Sequence, residues 1–117
     1  MTDQHPRATA RPLATAGAAA GLLLLVAPER VLDAVAPAFP RERRWLVRAL
    51  GARLVVQHGL VLVRPDAAVV GAGAAVDALH AASMLPFLAS ARYGRAARVS
   101  GAVALASALA AGRAATR

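Results

Sequence analysis

Residues 67–91 read AAVVGAGAAVDALHAASMLPFLASA, which is the longest run of low charge in the chain. Only two of its side chains are strongly polar, those of Asp77 and His80. A run of this length and polarity is typical of a helix that crosses a membrane. Pro86 lies inside the run and predicts a kink, because proline cannot donate the backbone hydrogen bond of a helix interior. Residues 67–91 are therefore predicted to form a membrane helix.

The composition of the 117 residues favours an all-helical chain. Apolar residues make up 58%, aromatic residues only 3%, and 33 residues are alanine, so β-structure is disfavoured. The high apolar content excludes an intrinsically disordered protein. The absence of cysteine excludes a disulfide-stapled secreted module. All 14 basic residues are arginine, and with six acidic residues they give a net charge of +8.

Three further apolar runs complete the predicted architecture, an all-α four-helix transmembrane bundle that forms one domain at 12–112. In chain order, the predicted helices lie at 12–27, 44–63, 67–91 and 96–112. The polar residues 1–11 are predicted to be a disordered tail, and residues 113–117 a second tail. Pro12 suits the first turn of a helix, where its missing N–H costs nothing. The fourth run is marginal for insertion, because alanine contributes less than leucine.

The first predicted helix, residues 12–27, has two other interpretations. Arg7 and Arg11 precede it, and Ala34-Val35-Ala36 has the form of a cleavage site, so the run resembles a signal peptide. Charged residues between the apolar run and that site argue against cleavage. The alternative is a buried helix in a soluble, alanine-rich helical bundle.

The segment between the first and second predicted helices, residues 28–40, contains three prolines. Val31, Leu32 and Val35 fall on one helical face within it, which indicates either a short amphipathic helix at the membrane surface or a plain loop. Trp45 follows a cluster of charged residues, as a membrane-interface anchor does.

The placement of the arginines distinguishes a membrane protein from a soluble one. Only Arg48 and Arg53 lie inside a predicted span, and the others lie in tails, loops or at the ends of runs. A soluble amphipathic helix carries charges along one face, whereas the runs at 13–27 and 67–76 carry none. The predicted partner is therefore the lipid bilayer, and the predicted location is the cell membrane, with several spans. Nucleic acid is not a predicted partner, because no aromatic residues are interleaved with the arginines.

Polar residues inside the second and third predicted helices are the candidate site residues. We expect these helices to form a hairpin about Pro65, from which Arg53 and Asp77 are each twelve residues away. Both therefore lie at a similar depth, roughly 18 Å from the turn, and charges inside a span usually face inward and pair. Gln57 is one helical turn from Arg53, and His80 is one turn from Asp77. The predicted intramembrane polar cluster is Arg53, Gln57, Asp77 and His80.

The cluster is interpreted either as a ligand or proton site or as a structural ion pair that fixes the register of two helices; we favour the structural pair. His58 and His80 differ in depth by roughly 12 Å, so they cannot share a metal ion in this arrangement. The sequence has no nucleophile–base arrangement and no phosphate-binding glycine loop. No catalytic residue, metal or cofactor is predicted, and the chain is not expected to be an enzyme.

The run RALGARLVVQHG at 48–59, followed by a turn and a helix that carries Asp77, resembles the second and third helices of small DoxX-like four-helix membrane proteins. The resemblance covers residues 45–112 and implies a four-span bundle. It implies no particular activity, because that superfamily is functionally heterogeneous. The lack of cysteine argues against a thiol-redox role.

The predicted function is that of an accessory or scaffold protein that packs with a membrane partner or with copies of itself. Small residues support this prediction, including Gly17 and Gly21, whose G-x-x-x-G spacing indicates a packing surface. The alternative is a small-molecule or proton-binding bundle centred on Arg53, Asp77 and His80. A polar cavity at that depth would favour the alternative, and a tight pair without a cavity would favour the scaffold. The segments 28–44 and 92–98 hold seven arginines, whereas the tails and the middle loop hold five, which predicts that the termini lie outside.

Overall fold

A computed structural model describes residues 4–116, and the side chains of residues 11–113. Every regular element in this range is helical, which confirms the predicted all-α class. The five α-helices are α1 (Gln4–Val26), α2 (Pro28–Val35), α3 (Arg44–Val63), α4 (Ala67–Ser83) and α5 (Gly94–Thr116). Two short 3₁₀ turns lie at Arg41–Arg43 and Leu85–Phe87.

The four long helices pack as two pairs. α1 packs along α3 and α4 packs along α5, whereas α3 and α4 meet only over a short stretch. The second and third predicted helices are therefore joined by the predicted turn at Pro65, but they do not pack along each other as a hairpin would. Residues 27–43 and 84–93 lie at one end of the bundle, here called the loop end. The turn at 64–66 lies at the other, terminal end with the start of α1 and the last residues of α5.

Glycines explain why α1 packs on α3. A Cβ at Gly21 would lie 2.7 Å from the carbonyl oxygen of Gly51, and a Cβ at Gly51 would lie 2.7 Å from that of Gly21. Gly17 lies against the ring of His58, which leaves no room for a side chain. Small residues at such positions let two helix backbones approach closely and pack. The G-x-x-x-G spacing is thus used for packing within the chain.

The helix boundaries agree with the prediction for α3 and differ for α1 and α5. α1 begins at Gln4, so residues 4–11 are helical and not a disordered tail; residues 1–3 lie outside the described range. Ala8 and Ala10 favour the helix, and Pro12 removes one hydrogen bond without ending it. α5 runs to Thr116 and takes in most of the predicted second tail; residue 117 is outside the described range.

The third predicted helix is shorter than expected. α4 ends at Ser83, and the 3₁₀ turn at Leu85–Phe87 takes the place of the predicted kink and last turns. Pro86 causes the break, because proline has no N–H and its ring clashes with the preceding turn. The N–H of Met84 donates to the carbonyl oxygen of His80 at 3.2 Å and closes the helix.

The segment between α1 and α3 forms a short amphipathic helix, α2, and not a plain loop. Its apolar face contacts the bundle: Leu32 is buried in a cluster with Phe39 and Tyr93. Its charged face is held by arginines, since Arg41 Nη2 lies 2.8 Å from Asp33 Oδ1. The expected contact of this apolar face with lipid is therefore replaced by contact with the protein, and α2 covers the loop end.

Two helical stretches are long and apolar enough to cross a membrane, Arg41–Val63 and Ala67–Phe87. Only 17% and 11% of the residues in their most apolar parts are buried within the protein. The core helix of a soluble domain would be mostly buried. Among the described residues, the apolar part of α1, Arg11–Val26, is shorter, and α5 does not reach the same hydropathy. Two of the four predicted spans therefore meet this criterion.

Candidate functional site

Arg53 of α3 and Asp77 of α4 lie side by side in the middle of the bundle. Nη1 of Arg53 is 3.6 Å from Oδ1 of Asp77, in agreement with their equal spacing from Pro65. Asp77 is 2% exposed and is the one charged residue that is buried among the side chains described. The side chain of Arg53 is 28% exposed, so the two partners differ in their access to solvent or ligand.

Gln57 links α3 to α4 beside this pair. Its Oε1 accepts a hydrogen bond from Arg53 Nη1 at 3.1 Å, and its Nε2 donates to the carbonyl oxygen of Gly73 at 3.3 Å. The absence of a side chain at Gly73 leaves the Gln57 amide free to reach the backbone of α4. Three of the four predicted cluster residues are thus connected.

His80, the fourth predicted residue, lines the same region but is not bonded to the others. Its Nε2 is buried and has no hydrogen-bond partner among the described residues, and the same holds for Nε of Arg53. Buried polar atoms are usually paired. These two nitrogens therefore mark unused hydrogen-bonding capacity beside the ion pair.

A large cavity separates the two helix pairs on the loop-end side of the cluster. Its volume is about 660 Å³, within the range of about 300–1,000 Å³ that is usual for small-molecule sites. Its walls are mainly apolar, and α2 and Tyr93 lie at its loop end. The polar side chains at its inner end and along α5 are those of Arg53, Asp77, His80, Ser100 and Ser107.

The large cavity is elongated along α3. Arg43 lines it at the loop end and Arg53 at the inner end. Ten residues of helix separate them, which corresponds to roughly 15 Å. Sequence reasoning missed this cavity, because no residue pattern marks a gap between helices.

A second, small cavity lies toward the terminal end and has a volume of about 30 Å³. Its polar lining consists of Gln57, His58, Asp77 and Ser107. Asp77 and Ser107 line both cavities, so they form part of the wall between them. His58 thus lies beside Asp77, a position that the sequence does not predict.

The inner end of the large cavity offers a ligand one cation, one anion, an imidazole and hydroxyl groups. Arg53 and Asp77 compensate each other's charge. No group of three or more metal-ligating side chains occurs between residues 11 and 113, and His58 and His80 line different cavities. The arrangement is therefore suited to holding a polar group without net charge.

The loop end carries a separate, exposed charge pair. Nη2 of Arg92 lies 3.1 Å from Oε1 of Glu42, which joins the segment after α4 to the 3₁₀ turn before α3. The pKa of the Glu42 carboxyl is below its ordinary value, because a hydrogen bond from its own backbone N–H and the charge of Arg92 both favour the carboxylate. The pair therefore joins the two chain segments that form the loop end.

Comparison with known proteins offers no relative from which a function can be transferred. No protein-family model, no curated protein and no solved structure matches the chain. Function is therefore inferred from the cavities and the polar residues between them.

Proposed function

We propose that this protein is a four-helix membrane bundle that binds a small, mainly apolar and uncharged molecule in the large cavity. The polar end of that molecule lies at Arg53, Asp77 and His80. One observation carries the proposal, namely the cavity of about 660 Å³ beside the ion pair. The polar inner end of the cavity supports a binding site over a purely structural pair, whereas the other walls of the cavity are mainly apolar.

The apolar outer surface supports the membrane part of the proposal. Large apolar side chains are exposed along the outside of the bundle, for example Val63 at 78% and Leu79 at 71%. In water, each would forfeit about 1.5–3 kcal/mol of burial energy. α1 and α5 run alongside α3 and α4, so we infer that all four cross the bilayer together. The resemblance of residues 45–112 to DoxX-like proteins agrees with four spans.

The shape and charge of the cavity define the class of ligand. Its walls are apolar over roughly 15 Å, which suits a hydrocarbon body. A positive and a negative group lie 3.6 Å apart at its inner end, so a charged head group would meet one like charge there. A hydroxyl or carbonyl group avoids that repulsion and can bond to the polar side chains.

The test is to identify the small molecules that leave the membrane with the protein. The protein is purified in detergent, and bound molecules are extracted and identified by mass spectrometry. Ala104 lines the large cavity, so Ala104→Leu is expected to fill part of it and to reduce the bound molecule several-fold. Ala102 is exposed on the same helix and does not line it, so Ala102→Leu is the matched control and should retain the molecule.

The result distinguishes a ligand-binding protein from a scaffold protein. A melting curve shows whether Ala104→Leu is folded, and Ala97→Leu is a second filling variant at the same wall. If both folded variants carry the same molecules in the same amounts as Ala102→Leu, the cavity is not a binding site. In that case the accessory or scaffold function is favoured.

A further inference from the structure

The carboxylate of Asp77 is buried without the hydrogen bonds that a buried charge requires. Its charged neighbour, Nη1 of Arg53, is 3.6 Å away, which is longer than a hydrogen bond. No side chain in the described range donates a hydrogen bond to Asp77. Burying a charge without hydrogen bonds is costly, so a donor is needed beside this carboxylate.

The small cavity has the size and the lining for such a donor. Its volume of about 30 Å³ exceeds the roughly 10–15 Å³ that a cavity needs to hold a water molecule, and a buried water makes roughly two to four hydrogen bonds. Four polar side chains surround the space, those of Gln57, His58, Asp77 and Ser107.

His58 is held in place one helical turn beyond Leu54, the last α3 residue that lines the large cavity. Its ring lies against Gly17 of α1, and it lines only the small cavity. A neutral imidazole carries one N–H donor and one acceptor nitrogen. It can therefore exchange a hydrogen bond with a water molecule in either tautomer.

We propose that the small cavity is a binding site for one water molecule, which donates a hydrogen bond to Asp77 and bonds to His58. The water links the terminal end of the bundle to the wall of the large cavity. His58 is thereby a positioning residue for Asp77. The water site stands independently of the proposed ligand site.

Gly73 offers a substitution that places a methyl group at the small cavity, beside the Gln57 amide. It lines the small cavity, and a Cβ there would meet Nε2 of Gln57 at 3.4 Å, which is an ordinary contact. The methyl group of Gly73→Ala thus occupies space that the water needs. Gly59 lies in α3, and no atom lies within 4 Å of the position that a Cβ would take there, so Gly59→Ala is the matched control.

The experiment is a double-mutant cycle between His58→Phe and Asp77→Asn, read as melting temperature in one detergent. His58 and Asp77 share no direct hydrogen bond, so the part of their coupling that the water carries is the part that a substitution filling the small cavity should remove. We expect the two shifts to be clearly non-additive in the wild-type and Gly59→Ala backgrounds. In the Gly73→Ala background, we expect the non-additive part to fall by at least half.

A structure of the purified protein at a resolution that orders water gives the direct check. We expect one water within hydrogen-bond distance of both Asp77 and His58. Additive shifts in the wild-type background, or an empty small cavity in that structure, would overturn the proposal. If the cycle shows coupling while no molecule is recovered from the large cavity, the water site stands and only the proposed ligand function fails.

Discussion

Gly21 and Gly51 face each other across the α1–α3 contact, and each occupies the space that a Cβ of the other would need. The hypothetical Cβ of either residue would lie 2.7 Å from the carbonyl oxygen of its partner. This contact fixes one wall of the large cavity, because α3 contributes Arg53 and Leu54 just beyond Gly51.

The Gly51→Ala substitution should destabilise the bundle. The added methyl group would collide with backbone, which cannot move away as a flexible side chain can, and overpacking typically costs about 1–3 kcal/mol. The measurement is thermal melting in detergent. Gly59→Ala is the control and should be neutral or stabilising by about 0.5–1 kcal/mol, because alanine favours a helix. Equal melting temperatures for the two variants would show that α1 and α3 do not approach this closely.

Replacing Arg53 should lower the stability of the protein more than replacing Asp77. Arg53→Leu leaves Asp77 buried and unpaired, which typically costs about 3–5 kcal/mol. Asp77→Leu should cost less, since Arg53 is partly exposed and its long side chain can reach the large cavity. The double substitution should recover much of the loss, and His80→Leu alone should do little harm. Strictly additive losses in the melting experiment would show that the two residues do not interact.

The spacing about Pro65 predicts the Arg53–Asp77 juxtaposition correctly, because the rise per residue of a helix is constant. The bounds of α3 are likewise predictable from charges and Pro65. The end of α4 is not, since Pro86 predicts a kink where the chain instead forms a 3₁₀ turn at Leu85–Phe87.

The cavities could not be predicted from the sequence, because they depend on which helices pair. The sequence indicates a hairpin of α3 and α4, whereas glycine contacts pair α1 with α3 and leave a gap between the pairs. The role of His58 depends on the same packing. The helical rise gives the depth of His58 along the bundle, but it does not show that His58 lies beside Asp77.

The protein should remain in the membrane fraction when membranes are washed with alkaline carbonate. In the proposed membrane bundle, a bilayer or detergent covers the exposed apolar surfaces of α3 and α4. The measurement is the share of protein in the pellet after the wash. Recovery of a monodisperse protein in buffer without detergent would contradict the membrane assignment and favour a soluble bundle.

The Glu42–Arg92 pair should make a small, pH-dependent contribution to stability. The folded-state pKa of Glu42 is lowered, so its stabilising effect is present above the unfolded pKa and is lost as pH falls through the folded value. Glu42→Gln should therefore lower the melting temperature slightly at neutral pH and not at strongly acidic pH. A loss that is the same at both pH values would show that the charge of Glu42 does not stabilise the fold.

The most direct test of the large cavity uses the absence of cysteine from the chain. Ser100 lines the large cavity and Ser83 lies outside it, so Ser100→Cys and Ser83→Cys each introduce a single thiol with little change in shape. The measurement is the rate of modification by methyl methanethiosulfonate, with and without dodecan-1-ol. We expect dodecan-1-ol to slow modification of the Ser100→Cys variant several-fold and to leave the Ser83→Cys variant unchanged. Equal rates with and without dodecan-1-ol in the Ser100→Cys variant would contradict binding of an uncharged apolar molecule in the cavity.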